Sequence, residues 1–217
     1  MSLLPQQAFE RYDDAPDEQF YVAPRLVTHI DDAAIAAVTE LYREYFPPEG
    51  SILDLMSSWV SHLPPEARYR RVVGLGMNRE ELDANPRLDE RVVRNLNVTP
   101  TLPFGDGEFD GAGCCVSVQY LTIPVDVFRA VGCVLKPGAP FVVTFSNRCF
   151  PTKAVAVWQS LDDRGHGQLV ARYFADAGNW RDVEVLDRSR SRGRWRGDPL
   201  YAAVGRSAGP TPVVSTP

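Results

Sequence analysis

The stretch Ser51-Ile-Leu-Asp-Leu-Met-Ser-Ser-Trp-Val60 decides how this chain is read. Residues 52–55 form a short apolar run of strand length, with Asp54 next to its end. A buried strand, an acidic residue near its tip and a tight turn into a helix together build the ligand site of an open α/β sheet. Such turns are usually glycine-rich, because glycine lets backbone approach a ligand closely. Here Met56, Ser58 and Val60 stand where the glycines are expected. The strand and its acid are present, and the turn is chemically altered.

The surroundings of that stretch are those of a globular domain. A chain of 217 residues with 44% hydrophobic and 24% charged residues suits one α/β unit with a substantial core. The formal charge of −5 speaks against nucleic acid as the main partner. No apolar run approaches the roughly 20 residues of a membrane helix, and no secretory leader is expected ahead of the domain. The four cysteines show no CxxC spacing and the three histidines are scattered, so no metal site is expected. The cysteines read as buried thiols of a reducing compartment, with cytoplasm the expected location.

Elements alternate along the chain. Residues 1–30 read as an N-terminal arm, broken by Pro5, Pro16 and Pro24 and carrying Phe9, Tyr12, Phe20 and Tyr21. Residues 31–46 form a helix with an aspartate cap, an apolar stripe and a Pro47-Pro48 stop. Strands are expected at 52–55, 71–75, 91–96, 109–118 and 141–146. Helical segments fall between them: a short turn after the first strand, then 79–85 and 124–135. A helical region broken at 162–167 follows and ends at Gly178, a fitting helix C-cap. The last two strands, 183–186 and 200–205, have no helix between them and form an antiparallel hairpin. Residues 31–206 are thus one domain with a mainly parallel sheet covered on both faces, and 207–217 form a disordered tail.

Three segments carry a family resemblance. Ile52-Leu-Asp-Leu55 looks like a first cofactor motif, and Leu102-Pro-Phe-Gly-Asp-Gly-Glu-Phe-Asp110 is close to an "LPFxDxxFD" run. Val134-Leu-Lys-Pro-Gly138, followed by Phe141-Val-Val-Thr-Phe145, matches an "LKPGG" turn and strand with Ala139 for the second glycine. Across roughly residues 30–206 the chain resembles the class I S-adenosylmethionine-dependent methyltransferases, small-molecule branch. The resemblance implies a Rossmann-like, seven-stranded, mainly parallel sheet ending in the hairpin, with helices on both faces. It also implies S-adenosylmethionine as cofactor and a small-molecule methyl acceptor as partner.

The resemblance assigns residues as well. Asp54 with Met56, Ser57, Ser58 and Trp59 would meet the cofactor's amino-acid end, Met56 and Trp59 either packing on it or filling its place. At the tip of the second strand Gly76 replaces the usual acidic ribose contact, with Met77 and Asn78 following. Asn95, Leu96 and Asn97 would lie by the adenine, and Ser117 after the fourth strand. Amides at 78, 95 and 97 thus replace carboxylates; they still donate and accept hydrogen bonds but give up the charge-assisted contact. Tyr21, Arg25 and His29 are candidates for a lid, and Tyr120, Asn147, Arg148 and Thr152 for the acceptor pocket.

Two other readings stand beside an active enzyme. The altered turn and Gly76 also suit a methyltransferase-fold protein that has lost catalysis and acts as a binding or regulatory partner. Arginines alternating from Arg188 to Arg196 around Trp195 suggest RNA modification. Their place between two strands of an acidic protein reads more simply as a solvated loop, so nucleic acid is not expected. Cys114-Cys115, in mid-strand, reads as two small buried hydrophobes.

Overall fold

The computed structural model describes residues 4–189, 191–192 and 195–209, with backbone alone for 191–192 and 195–196. Its centre is the opening stretch, now strand β1 (Ser51–Leu55), every residue of which is buried. Burial on both faces explains the continuous apolar run, since a strand inside a covered parallel sheet has no solvent side to alternate toward. β1 pairs in parallel with β2 (Arg71–Gly76) and with β4 (Gly111–Cys115). β3 (Glu90–Val93) pairs with β2, and β5 (Pro140–Phe145) with β4, again in parallel. Strands β6 (Trp180–Asp187) and β7 (Tyr201–Ser207) form the expected hairpin, with β7 inserted antiparallel between β5 and β6. The sheet order is therefore β3-β2-β1-β4-β5-β7-β6.

Helices cover both faces. Helix α2 (Asp32–Tyr45) is capped by the Asp31 carboxylate, which accepts from the Ala34 amide at 2.8 Å. Its stripe of Val38, Leu41 and Tyr42 packs with Val72, Val142 and Val204 on one face. On the other face α4 (Pro124–Val134) and α6 (Asp163–Ala177) pack on the sheet through Phe128, Val131, Val170 and Phe174. Three short helices, α1 (Asp17–Phe20), α3 (Arg79–Ala84) and α5 (Ala156–Gln159), complete the set.

Several boundaries differ from the sequence expectation. No helix forms between β1 and β2; residues 56–70 are turns and irregular backbone. Met56 leaves the strand at φ 56° and His62 sits at φ 51°, both left-handed and incompatible with a helical turn. The Ser57 and Ser61 hydroxyls point inward to Asp54 instead of capping, and the buried Asn85 holds the loop by donating to the Ser58 carbonyl and to Ser61 Oγ, each at 2.8 Å. β3 and β4 are shorter than expected because the sheet edges at 94–97 and 116–118 turn away. The break after β5 falls before α6, where Asp162 caps the helix through the Gly165 amide. Ser207 ends β7 and bonds the Gly132 carbonyl at 2.7 Å, so it belongs to the domain; residues 210–217 of the expected tail lie outside the described residues.

The arm is ordered against the sheet's carboxyl edge. The Glu10 carbonyl accepts from the Ala156 amide at 2.8 Å, and the Asp13 amide donates to the Thr152 carbonyl at 2.9 Å. The Lys153 side chain is fully buried, and its ammonium donates to the carbonyls of Asp13 (3.1 Å) and Ala15 (2.7 Å). Of the arginine-rich segment, Arg188 pairs with Glu44 at 2.8 Å; the side chains of 190–196 lie outside the described residues. Among the described residues no helix is long and apolar enough to cross a membrane.

Candidate active site

A cavity of about 270 Å³ lies at the carboxyl ends of the parallel strands. It sits where β1 and β4 diverge, the point at which strand order reverses and where open α/β sheets bind ligands. Asp54 forms part of its wall. One carboxylate oxygen, Oδ2, accepts from Ser57 Oγ and Ser61 Oγ, both at 2.6 Å. Oδ1 has no partner among the described residues and is not one of the enclosed polar atoms, so it opens on the cavity. Burial pushes the Asp54 carboxyl up to about 6, although both serine bonds favour its charged form.

The turn after β1 leans on β2. The Ser57 amide donates to the Leu75 carbonyl at 2.8 Å. A Cβ at Gly76 would come within 2.2 Å of the Ser57 carbonyl oxygen. The turn itself therefore fills the place of the acid expected at the tip of β2. Gly76→Ala should lower stability by about 2–3 kcal/mol, because the obstacle is backbone that cannot rotate away. Denaturant titration checks this, and an unchanged midpoint would show that the turn yields freely.

An acid reaches the cavity from elsewhere. Glu81, buried in α3, accepts from Ser58 Oγ at 2.6 Å and from the Arg25 amide at 2.7 Å. The sequence signal was ambiguous: Asn78 followed three residues later by Glu81 reads as a capping box. Asn78 does cap α3 through the Glu81 amide, yet the Glu81 carboxylate goes to the turn and the arm.

Every residue assigned to the cofactor lines this one cavity: Asp54, Met56 to Trp59, Gly76 to Asn78, Asn95 to Asn97 and Ser117. Tyr21, Arg25, His29, Tyr120 and Arg148 line it as well. Asn147 and Thr152 do not. Asn147 is exposed, bonded to Ser146 at 3.4 Å, and Thr152 contributes a backbone carbonyl to the arm. Arg148 is tied to Asp198 at 2.8 Å. Glu81 in α3, Cys115 at the end of β4, and the loop residues His62, Cys149 and Phe150 also line the wall, and the sequence did not mark them as site residues.

The three asparagines hold the arm. Asn78 Nδ2 donates to the carbonyls of Tyr21 and Val22, Asn95 Nδ2 to Glu18, and Asn97 Nδ2 to Asp17. Trp59 Nε1 donates to the Val27 carbonyl at 3.0 Å, so the indole is fastened to the same segment. Partial burial lowers the pKa of both His29 and His62, which favours neutral imidazoles, and burial pushes the Cys115 thiol up to about 12. No activated nucleophile faces the cavity among the described residues; the site is built to hold and orient.

Comparison with solved structures decides the fold. SpnF, a [4+2]-cyclase, superposes with a TM-score of 0.59 at 16% identity, over 85% of this chain and 89% of that one. A S-adenosylmethionine-dependent methyltransferase from Mesorhizobium loti gives 0.53 at 16% identity, over 78% and 97%. Phosphoethanolamine N-methyltransferase 2 of Haemonchus contortus, in complex with S-adenosyl-L-methionine, gives 0.57 at 12% identity, over 79% and 52%. The chain has the class I methyltransferase fold. Its sequence matches no protein-family model and no curated protein. The methyltransferase fold hosts more than one chemistry, as the cyclase illustrates, so function rests on the cavity.

Proposed function

We propose that the cavity binds S-adenosylmethionine and that the protein transfers its methyl group to a small-molecule acceptor. The observation carrying this reading is the buried Asp54 carboxylate at the strand switch point, with one oxygen pinned by two serines and the other open to the cavity. The residues fit the cofactor in a rearranged form. Asp54 and the turn from Met56 to Trp59 suit its ammonium end, and Glu81 supplies the acid that Gly76 lacks.

When bound, the cofactor supplies an electrophilic methyl group on a sulfonium sulfur. The chain contributes position. Asp54 and the Ser57–Ser61 loop fix one end of the ligand, and strain stored at Met56, His62 and Val116 (φ 56°, 51° and 42°), all on the cavity wall, marks a backbone shaped for a task other than stability. The arm acts as a lid that excludes water, and holding the partners in line supplies most of the rate. The arm fastened beside the cavity by Asn78, Asn95, Asn97 and Trp59 narrows access to it and supports a small acceptor over a macromolecule.

A second reading has its own support. Asn78, Asn95 and Asn97 spend their amides on the arm, as expected of a methyltransferase-fold protein that binds a ligand without catalysis. Calorimetric titration with S-adenosylmethionine and S-adenosylhomocysteine tests both. Saturable binding of each is the expected result. Binding without methyl transfer to any small-molecule pool would favour the second reading, and no heat at millimolar ligand would end the first and leave the protein a binding or regulatory partner that does not use this cofactor.

A further inference from the structure

Three arginines line the cavity, Arg25, Arg94 and Arg148. Arg148 is neutralised by Asp198, and Arg94 turns to the Thr101 carbonyl. Arg25 differs. Its charge lies over the rings of Phe20 at 4.5 Å, Phe150 at 5.4 Å and Tyr21 at 5.8 Å, and no carboxylate pairs with it among the described residues. Among the described residues its side-chain hydrogen bonds go to backbone alone, Nη2 to the Phe20 carbonyl at 2.9 Å and Nη1 to the Ala23 carbonyl at 3.4 Å.

A guanidinium carries five N–H donors in a rigid plane, so about three remain uncommitted. Ring faces attract the cation but give its donors no acceptor. Glu81, the nearest acid in the bonding pattern, takes the Arg25 backbone amide and Ser58 Oγ instead of the side chain. The result is a partly buried cation, fixed in plane by three rings and two carbonyls, on a residue of the cavity wall. That is the arrangement that receives a planar oxyanion, because the fork is pre-organised and its desolvation is already met in the free protein.

We infer that Arg25 is the anion-reading residue of this site, receiving a carboxylate carried by the bound ligand. The inference rests on the proposed use of the cavity and deepens it. Two sources share the chemistry: a carboxylate on the methyl acceptor, for which the rings of Phe20, Tyr21 and Phe150 offer an aromatic wall, and the cofactor's own amino-acid carboxylate.

The test is calorimetry on the full chain and on Arg25→Met and Arg25→Lys, with benzoate, S-adenosylhomocysteine and methylthioadenosine as probes. Methylthioadenosine keeps the nucleoside and sulfur and lacks the carboxylate. If the acceptor supplies the anion, benzoate binds the wild type and loses at least about tenfold in Arg25→Met, while S-adenosylhomocysteine is unaffected. If the cofactor supplies it, S-adenosylhomocysteine loses that much and methylthioadenosine does not. Arg25→Lys keeps the charge without the fork and should recover part of the loss. Equal weakening of methylthioadenosine would mean that Arg25 merely holds the arm, and would overturn the inference. So would unchanged affinity for both carboxylates. Should S-adenosylhomocysteine fail to bind even the wild type, the cofactor reading falls while the benzoate comparison still decides the role of Arg25.

Discussion

Asp54→Asn should make the protein more stable at pH 8 and weaken its hold on S-adenosylhomocysteine by at least tenfold. The stability half follows from the raised pKa, about 6 against an ordinary 3.8. Because the folded value lies above the unfolded one, the neutral carboxyl is what the fold favours. That stabilisation is complete below pH 3.8 and is lost as pH rises through about 6. At pH 8 the wild type therefore carries an ionised, buried aspartate at a cost of roughly 2–3 kcal/mol. Asparagine keeps an acceptor for Ser57 and Ser61 and removes that cost. The affinity half follows from losing a charged partner, worth about 1.5–3 kcal/mol. Denaturation midpoints at pH 5 and pH 8, paired with calorimetry, check both halves. A variant equally stable at both pH values relative to wild type would show that Asp54 is not ionised against a penalty.

Lys153→Met should be among the most damaging single changes outside the sheet. The ammonium has no exposure, and it joins the Asp13 and Ala15 carbonyls with the carboxylates of Asp13 at 3.2 Å and Asp17 at 3.5 Å. Methionine fills the channel but strands those acceptors. Removing one partner from a buried ionic cluster costs about 3–5 kcal/mol, and Arg11, bound to Asp17 at 2.6 Å, keeps the expected loss near the lower limit. For a domain of this size the melting temperature should fall by roughly 10 °C. Because the cluster fastens the arm, limited proteolysis should cut residues 10–25 first. A variant with wild-type melting and an intact arm would show that the cation is not what anchors it.

The sequence by itself determined the sheet and its order of elements. The apolar run at 52–55, the Lys136-Pro-Gly138 turn with Gly138 at φ 86°, and the helix cap at Gly178 are local signals, each set by backbone chemistry within a few residues. The same holds for placing Asp54 at a strand tip, since strand direction and period fix which end faces the ligand edge. Tertiary structure decided the rest. That the loop after β1 abandons its helix depends on Asp54 holding the Ser57 and Ser61 hydroxyls while Asn85, distant in sequence, donates to the Ser58 carbonyl and to Ser61 Oγ. That the asparagines hold the arm, that the Glu81 carboxylate goes to the turn and the arm, and that among the described residues no carboxylate pairs with Arg25 are outcomes of long-range packing. Hydrogen-bonding side chains accept whichever partner the fold brings within reach, and a sequence records the donor without naming its acceptor.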